Sequence, residues 1–146
     1  MKLTTKMRYG TRALIDLALH QQDQPVSSVE IAERQEVSAK YLESILVMLR
    51  NAGLVRAIRG ATGGHILARD AAEITLAEVY DALEGSDPLV DCMADADCSR
   101  YDECVTREVW AEMYASSRKV LASTTVADLA ARARAKQAAR ADLYTI

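Results

Sequence analysis

"SSVEIAERQEVSAKYLESILVMLRNAGLVRAIRGATGGHILAR" (residues 27–69) changes its hydrophobic period part-way along. Ser27 with Glu30 three residues on has the form of a capping box, opening a short helix that stops near Arg34. Ser38 is a natural N-cap for a second helix. Tyr41, Leu42, Ile45, Leu46 and Leu49 form its apolar stripe, and Gly53 closes it. Beyond Gly53 the helical period is lost. "LVRAIR" and "HILAR" are short alternating or β-branched segments around "GATGG", a turn with three glycines. Two helices, a turn and a two-stranded hairpin predict a winged helix-turn-helix.

Upstream, Met7, Leu14, Leu17 and Ala18 recur at helical spacing from about Thr5 to His20, and Pro25 prevents continuation. Downstream, "ITLAEVYDALEG" is a helix boxed by Thr75 and Glu78 and ended at Gly85. A longer helix follows in "ECVTREVWAEMYASSRKVLAS", with Val105, Val109, Trp110, Met113, Val120 and Leu121 on one side. That stripe either packs within the chain or forms a dimer interface anchored by Trp110 and Met113. The dimer is favoured, because a DNA reader of this size works as a symmetric pair. "STTVADLA" starts a last helix; the alanine-rich segment after it reads as helix or a fraying tail. The fold expected is mainly α with a small β-hairpin wing. It divides into a winged helix-turn-helix domain over 1–70, a connecting helix over 71–90, a cysteine loop over 91–104, a dimerisation helix over 103–123, and a C-terminal helix and tail over 124–146.

The chain has 146 residues, half of them hydrophobic, enough for one core. It has no run of roughly eighteen apolar residues to span a membrane. "MKLTTKMRYG" lacks the apolar region of a signal peptide, so the expected compartment is the cytoplasm. The net charge of −3 is uneven: residues 1–70 carry ten Lys or Arg against seven Asp or Glu, and residues 71–146 carry eight against fourteen. A basic first half suits a polyanion partner, namely double-stranded DNA.

A helix in the major groove offers its N-terminal residues to base edges. Ser38, Lys40, Tyr41 and Glu43 occupy that end. Glu43 can accept from a cytosine N4 amine, and Lys40 lies three residues before it. The competing reading of Lys40 and Glu43 is a solvated ion pair. Arg59, before the glycine turn, is placed for a narrow minor groove. Lys2, Arg8 and Arg50 are phosphate candidates. "GATGG" lacks the Lys and Ser/Thr of a phosphate-binding loop, and it joins strands instead of opening a helix. No nucleophile–base or paired-carboxylate arrangement suggests an enzyme.

Every cysteine of the chain lies in "DCMADADCSRYDEC" (residues 91–104): Cys92, Cys98 and Cys104, six apart and six apart. Their neighbours are Asp91, Asp95, Asp97, Asp102 and Glu103, poor company for cysteines acting as small core hydrophobes. In a reducing compartment such a cluster points to metal binding or redox chemistry. Zinc, a metal-free thiol sensor and an iron–sulfur cluster are the three readings. Zinc lacks a fourth ligand, since His20 and His65 belong to the other half of the chain.

The N-terminal block "MKLTTKMRYGTRAL", the "YLE" core of the second helix, "NAGLV…RG", "GGHILAR", "EITLAEVYDALEG" and the three cysteines together resemble the bacterial IscR-like winged-helix regulators. That superfamily (Rrf-two) includes the CymR, NsrR and RirA types, and the similarity covers roughly residues 1–130. The resemblance implies a dimeric transcription factor on a pseudo-palindromic operator, a repressor or dual regulator of iron–sulfur assembly, iron or redox-stress genes. It implies a discriminating role for Glu43. It also implies that Cys92, Cys98 and Cys104 hold a cluster, [4Fe–4S] or [2Fe–2S]. The IscR pattern has a histidine three residues after the third cysteine, where this chain has Arg107, always protonated and a poor ligand. NsrR-like proteins use an N-terminal Asp of the partner subunit, where this chain reads "KMRYG". Glu108, Asp102, Glu103, a partner-chain group, water or a small thiol remain as the fourth ligand. The alternative function, a small iron–sulfur electron carrier or cluster-transfer protein, would have no use for "SAKYLES" or Arg59.

Overall fold

The computed structural model describes residues 3–22, 24–87, 90–93 and 98–144. Lys2, Asp95 and Asp97, singled out above, lie outside the described residues, as does the side chain of Asp91. The chain order is α1 (Thr5–His20), α2 (Ser28–Gln35), α3 (Ala39–Asn51), β1 (Val55–Ile58), β2 (Gly64–Leu67), α4 (Leu76–Glu84), α5 (Val105–Ala122) and α6 (Val126–Leu143), with single 3-10 turns at Ala71–Glu73 and Asp91–Met93. The fold is the expected winged helix: mostly helical, with one antiparallel hairpin.

Every α-helix but α5 starts where a hydroxyl side chain satisfies a free amide. Ser27 and Thr75 accept from the amides of Glu30 and Glu78, whose carboxylates accept in return from the cap amides. The same reciprocal pair forms at Thr125 and Asp128, opening α6. α1, α3 and α4 then converge on one core. Leu14, Leu17, Ile31, Leu42, Ile45, Leu46, Leu49, Leu54, Ile74 and Val79 are fully buried in it, each worth roughly 1.5–3 kcal/mol. Gly10 sits where α1 meets α4; a Cβ there would lie 2.4 Å from Leu83 Cδ1.

α6 belongs to this core. Val126 and Ala130 are buried, the Val126 amide donates to Ile74 O at 2.9 Å, and the Leu76 amide donates to Thr124 O at 2.9 Å. These bonds fasten the start of α6 to the start of α4. α5 differs. It is joined to α4 by a two-bond Arg118–Asp81 ion pair at 2.6 and 2.9 Å, and the Tyr114 hydroxyl donates to Ser86 O at 3.3 Å. No residue of α5 is buried. Among the described residues, packing covers only the Leu121 end of its apolar stripe: Val105 is 80%, Val109 57% and Val120 63% exposed.

The wing is pinned at its base. The hairpin register is Val55↔Leu67, Arg56↔Ile66, Ala57↔His65 and Ile58↔Gly64. His65 also exchanges backbone bonds of 2.9 and 2.7 Å with Val26, just before α2. The Leu67 amide donates to Gln21 Oε1 at 2.7 Å. Gly64 is required at this crossing, because its φ is +159° and a Cβ would lie 2.6 Å from Val26 O. The turn that carries Arg59 thus projects from an anchored hairpin.

Candidate nucleic-acid interface and cysteine segment

α3 buries Leu42, Ile45, Leu46 and Leu49. Its opposite face presents Lys40, Glu43, Ser44 and Val47 to solvent. Ser38 caps the helix, its hydroxyl oxygen accepting from the Tyr41 amide at 3.2 Å. Tyr41 lies beneath the exposed face. Its half-buried ring meets Tyr9 edge-on, centroids 6.2 Å apart, and the Arg12 guanidinium lies 5.2 Å from the Tyr9 centroid. Among the described residues no ion pair joins Lys40 to Glu43, so both charges stay free.

Arg50 and Arg59 come together, and Arg56 joins them. The three line one groove between the end of α3 and β1, with Gly53, Val55 and Ala57 as its floor. Arg56 was missed in the sequence, although a signal was present: in "LVRAIR" the alternation puts Arg56 opposite buried Val55. Arg8 is also exposed but lies apart, beside an apolar groove lined by Leu3, Met7, Leu76 and Leu121.

The cations of this half fall into two groups. Lys6 donates to Leu83 O at 2.8 Å, Arg12 to Gln35 Oε1 at 2.8 Å, Arg34 pairs with buried Asp16 at 2.7 Å, and Arg69 pairs with Glu78. The side chains of Arg8, Lys40, Arg50, Arg56 and Arg59 make no hydrogen bond or ion pair among the described residues. The first group braces the fold. Four of the second group lie on α3 and the wing, a positive, uncommitted surface suited to a polyanion.

The cysteines occupy three kinds of position. Cys92 is in the Asp91–Met93 turn, Cys98 accepts at its carbonyl from the Tyr101 amide at 2.9 Å, and Cys104 is the N-cap of α5. All three are free thiols, partly buried. Among the described residues no group of three His, Cys, Asp or Glu is gathered to hold a metal ion, so the three cysteines are not brought into one site. The donor chemistry nonetheless suits a thiolate-bound centre. The Thr106 hydroxyl, 3.4 Å from Cys104 Sγ, holds that thiol below its usual range, aided by the Arg107 amide and the charge of Arg100. Asp102, Glu103 and Glu108 are exposed nearby. Arg107 faces back over the segment: its guanidinium carbon lies 3.6 Å from the Tyr101 ring centroid, and Nη2 donates to the Tyr101 hydroxyl. Tyr101, unremarked in the sequence, thereby ties the Cys98–Cys104 turn to the first turn of α5.

Residues 3–132 match the Rrf2 family, described as an iron-dependent transcriptional regulator. The chain belongs to the Rrf2 family. Protein rrf2 of Nitratidesulfovibrio vulgaris is 44% identical over 130 residues, covering 88% of this chain and 87% of that protein. Among solved structures, CymR (YrzC), the global cysteine regulator of B. subtilis, superposes with a TM-score of 0.78 at 37% identity, over 90% of this chain and 98% of its own. IscR of T. potens gives 0.75 at 41% identity, over 91% and 88%. As an Rrf2-family protein with this fold, the chain is a winged-helix transcriptional regulator and not an enzyme. No helix among its described residues is long and apolar enough to cross a membrane.

Proposed function

We propose that the protein works in the bacterial cytoplasm as a homodimer on a pseudo-palindromic operator, under the control of an iron–sulfur cluster held by Cys92, Cys98 and Cys104. The observation that carries the DNA half is the uncommitted charge on α3 and the wing. Lys40 can donate to guanine O6 and N7, and Glu43 can accept from cytosine N4, which fits the discriminating role that the family resemblance assigns it. Arg59 suits the minor groove beside the reading helix. Arg50 and Arg56 suit phosphates, which set register and affinity without reading sequence. Ser38, Tyr41, Arg8 and Lys2 complete the proposed contact set, Tyr41 mainly by supporting the face from below.

The dimer is supported by the bare stripe of α5, where Trp110 and Met113, 38% and 42% exposed, suit a second copy of the same helix. The cluster is supported by the donor set: three thiols with no disulfide, one of them, at a helix N-terminus, held below its usual pKa by the Thr106 hydroxyl beside it. When bound, such a centre supplies one-electron redox chemistry and lability towards oxidants or iron loss. Arg107, stacked on Tyr101 and protonated, does not offer the fourth ligand. The fourth position falls to Glu108, Asp102, Glu103, a partner-chain group, water or a small thiol. An electron carrier would leave the α3 and wing charges without a role.

Anaerobic purification with visible absorption and iron and sulfide analysis, followed by DNA binding with and without the bound iron, tests the whole proposal. A coloured protein containing iron and sulfide, with an operator affinity that changes when they are removed, is the expected result. A colourless protein whose DNA binding is indifferent to iron and sulfide would remove the cluster from the account.

A further inference from the structure

Along the solvent face of α3, Lys40, Glu43, Ser44 and Val47 follow one another at i, i+3, i+4 and i+7. Three are polar. Val47 is not, and it is 40% exposed. The fold gives it no role: it lies outside the core, and a β-branched residue is a poorer helix former than Ala, Leu or Lys. Ser44 cannot compete for the same space, since its hydroxyl is bonded back to Tyr41 O at 2.6 Å. Four residues of helix advance about 6 Å, close to two base-pair steps of about 3.4 Å each. A helix that sets Glu43 against one base edge therefore carries Val47 to an edge one or two steps further on. The apolar feature available on a major-groove base edge is the thymine C5-methyl group. A valine held in one χ1 well meets it with little ordering cost.

We propose that Val47 is a specificity residue that packs against a thymine C5-methyl in each half-site, beside the base read by Glu43. This rests on the proposed docking of α3 in the major groove. A 5-methylcytosine offers the same methyl chemistry, so the test separates the two sources. A duplex is selected from a random pool by the full-length protein, purified anaerobically. Each thymine is then replaced in turn by deoxyuridine, and each cytosine by 5-methylcytosine, and equilibrium affinity is measured for the wild type and for Val47→Ala.

A single deoxyuridine at the contacted position of either half-site should weaken wild-type binding roughly fourfold, the equivalent of one methyl group left unburied. Val47→Ala should bind the thymine and uracil duplexes alike. A wild type that tolerates every uracil overturns the assignment, as does an Ala variant that keeps the full uracil sensitivity. A gain on cytosine methylation without a loss at any thymine would assign the methyl to cytosine and overturn the thymine claim. Failure to select any duplex would overturn the DNA-reading proposal itself, which is a separate outcome from uracil tolerance.

Discussion

Arg59 and Asp16 are charged side chains with opposite assignments. Arg59 is exposed on the wing turn, and its side chain has no partner among the described residues, so its removal should leave the fold intact. Arg59→Ala is expected to weaken operator binding by roughly 1–3 kcal/mol while affecting random DNA much less. Equal loss on both, in a fluorescence titration, would reduce Arg59 to a phosphate contact. Asp16 is only 2% exposed, and it accepts from Arg34 Nε and Nη2 and from Gln35 Nε2 at 2.7–3.2 Å. Asp16→Ala should cost roughly 2–3 kcal/mol in urea unfolding, less than a fully enclosed pair because Arg34 is partly open to solvent. Arg107→Ala should leave the visible absorption of the proposed cluster in place, since a protonated guanidinium has no lone pair to give. Loss of colour in a folded Arg107→Ala dimer would make Arg107 part of the site.

The helix starts were legible as elements because a capping box is local chemistry. Ser27/Glu30 and Thr75/Glu78 could be read directly, whereas Thr125/Asp128 escaped the usual Glu/Gln pattern although the shorter Asp makes the same bond. These boxes predict acid lability. Hydrogen bonds from Ser27 and Thr125 hold Glu30 and Asp128 below their ordinary values of 4.5 and 3.8. For Glu78 burial pushes upward, but the Thr75 amide and hydroxyl and Arg69 outweigh it. A depressed folded pKa contributes stability that is present above the unfolded value and lost as pH falls through the folded one. Stability should therefore fall below about pH 4.5, with no step near neutrality from these groups. Glu78→Gln, which keeps the cap acceptor, should shrink that fall in urea unfolding at acid pH; an unchanged acid profile would remove Glu78 from it. The α5 stripe was equally visible, but whether the chain's own core covered it was a question of packing. Left bare, it predicts that Trp110→Glu converts a dimer to monomer in sedimentation. A wild type that is already monomeric at micromolar concentration would contradict the interface.

For the whole molecule, the winged helix could be read from residues 27–69 because its pattern is carried by neighbours in sequence. The groove of Arg50, Arg56 and Arg59 could not, because it depends on how β1 folds back beside the end of α3. The cysteine segment revealed its donors, but ligand geometry joins residues across turns that spacing does not fix. Two such chains related by a two-fold axis should read half-sites whose centres lie about one helical turn, roughly 34–36 Å, apart or a multiple of that. The central claim, that the uncommitted charge on α3 and the wing is the DNA-binding surface, is tested most directly by the salt dependence of operator affinity for the wild type and for Arg50→Ala/Arg56→Ala. Each phosphate contact contributes about 0.9 to the slope of log K against log salt, so a dimer losing two contacts per chain should show a slope shallower by roughly 3–4. A double variant that keeps the wild-type affinity and slope would contradict the account.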